Sequence, residues 1–199
     1  MIRAAVLCLL ALPVSAQEAM PGFPWLHDVQ GVVASDVLNI RAEPSASAAI
    51  LGTLAPDAKG IEVVGVKDGW YIVNSAEGTG YVNMSFLSPQ PGPDWDTLSS
   101  PLSCFGTEPF WGLEFAPAEG KATLSLFDVT PLEMAVTALW PASPWAPQAG
   151  IGLAGGTAVI RSQECSDGMS DFTYGISVDL FLTGAEARRY SGCCSLILR

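Results

Sequence analysis

Apolar and polar positions alternate over short stretches along much of this chain, and the stretches are too brief and too closely spaced for helices. From residue 37 onward they fall at Val37-Leu38-Asn39-Ile40, Ile50 to Leu54, Ile61 to Val66, Trp70 to Val73 and Gly80 to Val82. Between them lie Ala42-Glu43-Pro44-Ser45, Pro56-Asp57, Lys67-Asp68-Gly69 and Glu77-Gly78-Thr79. Proline fixes φ, glycine tolerates positive φ, and Asp and Ser side chains bond nearby backbone, so each of these is a turn. Short β-rich runs punctuated in this way predict a small all-β barrel.

The same pattern returns after residue 102. Leu124 to Phe127, Met134 to Leu139, Thr157 to Ile160, Ile176 to Leu182 and the apolar run from Cys193 to Leu198 read as strands. Pro141-Ala142-Ser143-Pro144-Trp145-Ala146-Pro147 reads as a loop, and Gly184 to Arg189 as a short helix closed by Gly192. Three prolines and a glycine in Ser88-Pro89-Gln90-Pro91-Gly92-Pro93-Asp94 interrupt any regular element and predict a semi-extended linker over 89–101. An alternative course for it is along the surface of the first unit. Met20 to Leu26 is similarly irregular, with aromatic residues expected to pack on the first barrel. The fold class is therefore all-β, a small barrel over 27–88 followed by a second β domain over 102–199.

Composition narrows the function classes. With 49% hydrophobic and 15% charged residues the chain can fill packed cores, so disorder is not its main state. A net charge of -11 argues against nucleic acid as a partner, because phosphate binders cluster Lys and Arg. At the start, Met1-Ile2-Arg3, the apolar run Ala4 to Val14 and the small residues Val14-Ser15-Ala16 form a signal-peptide pattern over 1–16, with Gln17 as the expected first mature residue. Cys8 lies inside the apolar run and lacks the small residues that precede a lipid-modified cysteine. No other run reaches the roughly 18 apolar residues of a membrane span. The expected location is periplasmic or secreted.

After the leader four cysteines remain: Cys104, Cys165, Cys193 and Cys194. In an oxidising compartment they read as two disulfides. A direct bridge between the adjacent pair is strained, so each of Cys193 and Cys194 is expected to join one of Cys104 and Cys165, in either arrangement. In a strand the two neighbours point to opposite faces, which would put one bridge in the core and one near the surface. A zinc site would want Cys-x-x-Cys knuckles and a redox site a Cys-x-x-Cys motif; neither is present, and no metal or cofactor is expected. His27, the single histidine, reads as a surface residue.

Leu38-Asn39-Ile40-Arg41, the Pro44-Ser45 turn, Ile50-Leu51-Gly52-Thr53-Leu54, Gly69-Trp70-Tyr71-Ile72-Val73 and Gly80-Tyr81-Val82 together resemble the bacterial SH3 family. The resemblance implies an envelope-associated module for cell-wall or peptide ligands. In the other half, Cys104-Phe105-Gly106-Thr107-Glu108-Pro109-Phe110-Trp111, Glu164-Cys165-Ser166-Asp167-Gly168-Met169-Ser170-Asp171 and Gly192-Cys193-Cys194 resemble a family of uncharacterised bacterial envelope proteins and lipoproteins. That likeness implies secretion and a compact disulfide-bonded β domain, without a reaction.

Candidate ligand contacts are Trp70, Tyr71 and Tyr81, whose aromatic faces lie at strand ends, with Asn39, Arg41 and Asn83 as polar partners. Trp70 and Tyr71 point to opposite faces, so at least one of them is core. Glu108, Asp167 and Asp171 are the candidate catalytic carboxylates, since paired carboxylates serve glycoside hydrolysis. Asp167 and Asp171 are also candidate calcium ligands, although the EF-hand spacing is missing. Against these roles, Glu108 before Pro109 and Asp167 before Gly168 are turn formers. Phe110 and Trp111 read as core aromatics. Nucleophile elbows, His-Glu-x-x-His and phosphate loops are absent from the sequence. The expected function is non-catalytic binding of peptidoglycan or an envelope peptide or protein. Two alternatives are a carboxylate-based cell-wall hydrolase targeted by the SH3-like unit and an envelope protein-interaction or inhibitor module.

Overall fold

A computed structural model describes residues 23–197 except 77, 93, 185 and 186. The expected leader, Cys8 and residues 20–22 lie outside the described residues. Among the described residues the chain is all-β: fifteen strands form one seven-stranded sheet and one closed eight-stranded barrel.

The first sheet contains β1 (Trp25–Val29), β2 (Leu38–Arg41), β3 (Ile50–Leu54), β4 (Ile61–Lys67), β5 (Trp70–Ser75), β6 (Gly78–Asn83) and β7 (Leu87–Pro89), in the order β3-β2-β6-β5-β4-β1-β7. Alternation decides its faces: Leu38 and Ile40 of β2 are buried while Asn39 and Arg41 point outward. The β4–β5 hairpin turns at Asp68 and Gly69 with φ of 49° and 79°, the double positive φ that a tight hairpin turn requires. Val29, Leu38, Ile40, Val63, Val73, Val82 and Leu87 close this core. Trp25 and Leu26, expected to be irregular, pair in β1 with Val63 and Glu62.

The second unit is an up-and-down barrel of β8 (Leu102–Thr107), β9 (Phe110–Ala116), β10 (Lys121–Leu126), β11 (Val129–Trp140), β12 (Gln148–Leu153), β13 (Gly156–Cys165), β14 (Tyr174–Leu182) and β15 (Arg188–Ser195). The segment read as a short helix runs instead into β15, because Arg188 to Tyr190 pair with Leu182 to Leu180 of β14. Inward positions are apolar and fill the interior, among them Leu113, Phe115, Ile151, Ile160, Ile176 and Leu180. Outward positions of β13 to β15 include Arg161, Ser177, Asp179, Arg189 and Ser191. No helix among the described residues is long and apolar enough to cross a membrane.

The barrel closes where β15 meets β8, a seam of three residue pairs, Cys193 to Ser195 against Phe105 to Ser103. Cys104 and Cys194 face each other across it and form a disulfide. Both are buried in the barrel core. Cys193 points outward and joins Cys165 at the end of β13. Strand alternation thus places the two bridges on opposite sides of one wall. At Gly192 a Cβ would lie 1.9 Å from the Phe105 carbonyl oxygen, so a side chain there would push the seam apart.

Residues 89–101 do more than connect. Gln90 donates its backbone N–H to Leu26 and its side-chain amide to Asp28, which lays this stretch along β1. Further on, Trp95 and Leu98 are buried in the barrel core. The two units are also locked by polar contacts. Glu62 of β4, buried, accepts hydrogen bonds from Ser195 Oγ (2.5 Å) and the Leu196 backbone N–H (2.9 Å). Asn74 Nδ2 donates to the Thr173 carbonyl, and the Thr79 backbone N–H donates to the Asp171 carbonyl.

Candidate functional site

The loop from β1 to β2 stands over the start of β2, the β5 entry and the turn after β6, and a cleft of about 350 Å³ opens between them. Its apolar wall is Val33, Val37 and Phe86, all exposed at 36% or more, with Trp70 beside them. Exposed apolar side chains gathered in a concavity with a few polar groups are the features of a ligand site.

Each polar group is held by its neighbours. Arg41 NH1 donates to the Ala48 carbonyl at 2.8 Å, fixing the guanidinium across the β2–β3 loop. Asn83 Oδ1 accepts from the Ser85 backbone N–H, capping the 3-10 turn Met84–Phe86 and leaving the amide NH2 as a donor. The Gln30 backbone N–H donates to the Phe86 carbonyl, tying the loop to that turn. Asp36 Oδ1 accepts from the Val37 backbone N–H. The cleft therefore offers a cation at Arg41, an anion at Asp36 and amides at Asn39 and Asn83 around an indole and a phenyl ring.

Four of the six sequence candidates, Asn39, Arg41, Trp70 and Asn83, line this cleft. Tyr71 and Tyr81 do not. Alternation along β5 turns Tyr71 to the other face, where its ring lies 4.8 Å from that of His27 and 6.2 Å from that of Phe23. Tyr81 sits beneath Lys67, whose Nζ is 5.7 Å from the ring centre. His27, read as a surface residue, is buried in β1, and its Nδ1–H donates to the Trp25 carbonyl. Burial pushes its pKa below the ordinary value, against the opposing pull of that bond and of Asp28.

In the barrel Glu108 and Asp167 line one open groove, and Asp171 is not part of that lining. Asp167 Oδ1 accepts from the backbone N–H groups of Met169 and Ser170, and Oδ2 accepts from Ser170 Oγ, so the carboxylate organises its own turn. Asp171 is exposed and offers its carbonyl to Thr79. Glu108 is exposed at the β8–β9 turn. Phe110, expected in the core, is 54% exposed there, because the turn lifts it clear of the barrel, whereas Trp111 is buried against Tyr190. All four remaining cysteines are consumed in the two disulfides.

Residues 36–88 match the profile of the family described as bacterial SH3 domain. Residues 36–88 thus carry a bacterial SH3 domain. Neither a curated protein nor a solved structure matches the chain. The likeness seen in the C-terminal motifs rests on those motifs alone.

Sequence reading passed over the loop contribution to the cleft, Val33, Asp36 and Val37, and over Phe86. An exposed apolar pair inside a loop was the available signal. It also missed Glu62, whose position within Ile61-Glu62-Val63-Val64 marks an acid inside an apolar run.

Proposed function

We propose that the protein is an exported cell-envelope binding protein whose SH3 domain takes a cell-wall or peptide ligand in the cleft beside Trp70. The observation that carries this reading is the cleft itself: exposed Val33, Val37 and Phe86 beside Trp70, with Asn39, Arg41 and Asn83 at hydrogen-bonding range of anything laid there. Stacking and apolar contact would hold the ligand, and the amides would align its polar groups. The leader pattern and the two disulfides support an extracytoplasmic location. The binding partner in this reading is peptidoglycan or an envelope peptide.

The test is co-sedimentation of the mature protein with purified peptidoglycan sacculi. Retention of the wild-type protein and a loss of about tenfold or more in affinity for Trp70→Ala is the expected result, equivalent to about 1.4 kcal/mol. Retention that is indifferent to Trp70→Ala and Asn39→Ala would remove the cleft from the recognition, and failure of the wild type to sediment would remove the wall.

A further inference from the structure

Three motifs that stand apart in the sequence, 104–111, 164–171 and 192–194, meet on the outer wall of the barrel. Thr107 and Glu108 from the first, Ser166 and Asp167 from the second and Gly192 from the third border one open groove of about 450 Å³. Its walls are tied together, since Thr107 Oγ1 donates to the Asp167 carbonyl at 2.6 Å and Cys165 is bridged to Cys193. The floor is the outward face of β13, β14 and β15, where alternation places Arg161, Asp179 and Arg189.

Most motif residues have a task inside the protein. The cysteines are bridged, Gly192 allows the seam to close, Trp111 fills the core and Asp167 organises its turn. Glu108 has none of these. It is exposed at the rim, and it makes no hydrogen bond or ion pair among the described residues.

The floor has the opposite sign. Arg161 NH1 and Arg189 NH2 both meet the carboxylate of Asp179 at 2.8 Å, and Arg189 Nε and Ser191 Oγ add two further bonds. Two guanidiniums on one carboxylate leave the floor with one positive charge in excess, in a chain of net charge -11. Arg161 gives only NH1 to Asp179, and its side chain is 32% exposed. Its remaining N–H donors have the planar fork geometry that suits a second carboxylate.

We propose that this groove binds the zwitterion of an amino acid or short peptide, its carboxylate against Arg161 and Arg189 and its ammonium against Glu108. The site is separate from the SH3 cleft and does not depend on what that cleft takes. If the arginines instead serve only to hold three strands together, the groove takes no zwitterion.

Triglycine is the probe, titrated into the mature full chain while the backbone amide resonances of the groove are followed. N-acetyl-triglycine removes the ammonium and triglycine amide removes the carboxylate, so the ligand series tests the assignment on the unmodified protein. Triglycine is expected to move the amides around Glu108, Arg161 and Arg189, and each cap to weaken binding about fivefold or more, the worth of one charged contact. Glu108→Gln is expected to weaken triglycine binding to the level of the acetylated peptide while leaving the acetylated peptide unaffected. The same titration on Trp70→Ala is expected to be unchanged. Absence of groove shifts up to about 20 mM triglycine overturns the proposal. Shifts that ignore both caps overturn it as well.

Discussion

The two units solve the same problem, keeping a β-sheet single and whole, by different means. The SH3 unit is an open sheet with edges at β3 and β7, a small core, and neighbours that brace it: residues 89–92 along β1 and the barrel against β4 to β6. The barrel has no edges, a larger core and covalent staples across its wall. An open sheet keeps loops free to stand over a cleft, whereas closure turns all function to the rims and the outer wall.

Removing the staples should break this contrast most. Cys104 and Cys194 are 90 residues apart, so on the chain-entropy account their loss costs roughly 4 to 5 kcal/mol, against roughly 3.5 kcal/mol for Cys165 and Cys193 at 28 residues. Denaturant unfolding of the Cys104→Ala/Cys194→Ala protein, followed by Trp111 fluorescence, should show the larger drop. The next largest effect concerns the brace. Glu62→Ala leaves Ser195 Oγ and the Leu196 N–H without their partner at a buried junction, a loss of about 2 to 3 kcal/mol. The wild type is expected to show one calorimetric transition and the variant two, and a single unshifted transition in the variant would contradict the coupling.

Acid should separate the units in order. In the barrel, burial raises the Asp179 pKa, but Ser191, Arg189 and Arg161 outweigh it and hold it at about 2. A carboxylate depressed in this way stabilises above its unfolded pKa and ceases to do so as pH falls from about 4 toward 2. Asp179→Asn should therefore cost about 1 to 2 kcal/mol at neutral pH, with the difference from wild type vanishing near pH 2. In the SH3 unit the opposite charge type acts earlier. Burial depresses His27, so the unfolded chain takes up its proton first, and stability falls as pH drops below about 6.5. This is the smallest expected effect, read as a slope in stability between about pH 7 and 5 that His27→Gln abolishes.

Much of the first unit was legible because its signals are local. Leu38 and Ile40 alternate cleanly, and Asp68-Gly69 is a hairpin turn by chemistry alone. In the barrel local signals mislead. Ala185-Glu186-Ala187-Arg188-Arg189 favours a helix by composition, yet Arg188 and Arg189 are strand because β14 supplies their partners. Gln148 to Leu153 escaped notice because Gly150 and Gly152 interrupt its pattern. Those glycines form the bed on which the Trp140 ring lies, a contact between residues of different strands. For the sites, residue types were readable but faces were not: Trp70 and Tyr71 differ only in the phase of β5. Arg161, Asp179 and Arg189 carried no signal at all, since only strand register brings them together.

The seam between β8 and β15 also has a consequence in time. A polypeptide emerging from its N-terminal end can assemble the SH3 strands as they appear, but β8 must wait for nearly ninety residues before its partner arrives. Until then the half-built wall exposes one open edge of β8 and a reduced Cys104, and Glu62 lacks Ser195. Synthesis stalled before β15 would therefore yield a nascent chain whose SH3 strands are all present but unbraced and whose remainder is an open, protease-sensitive wall.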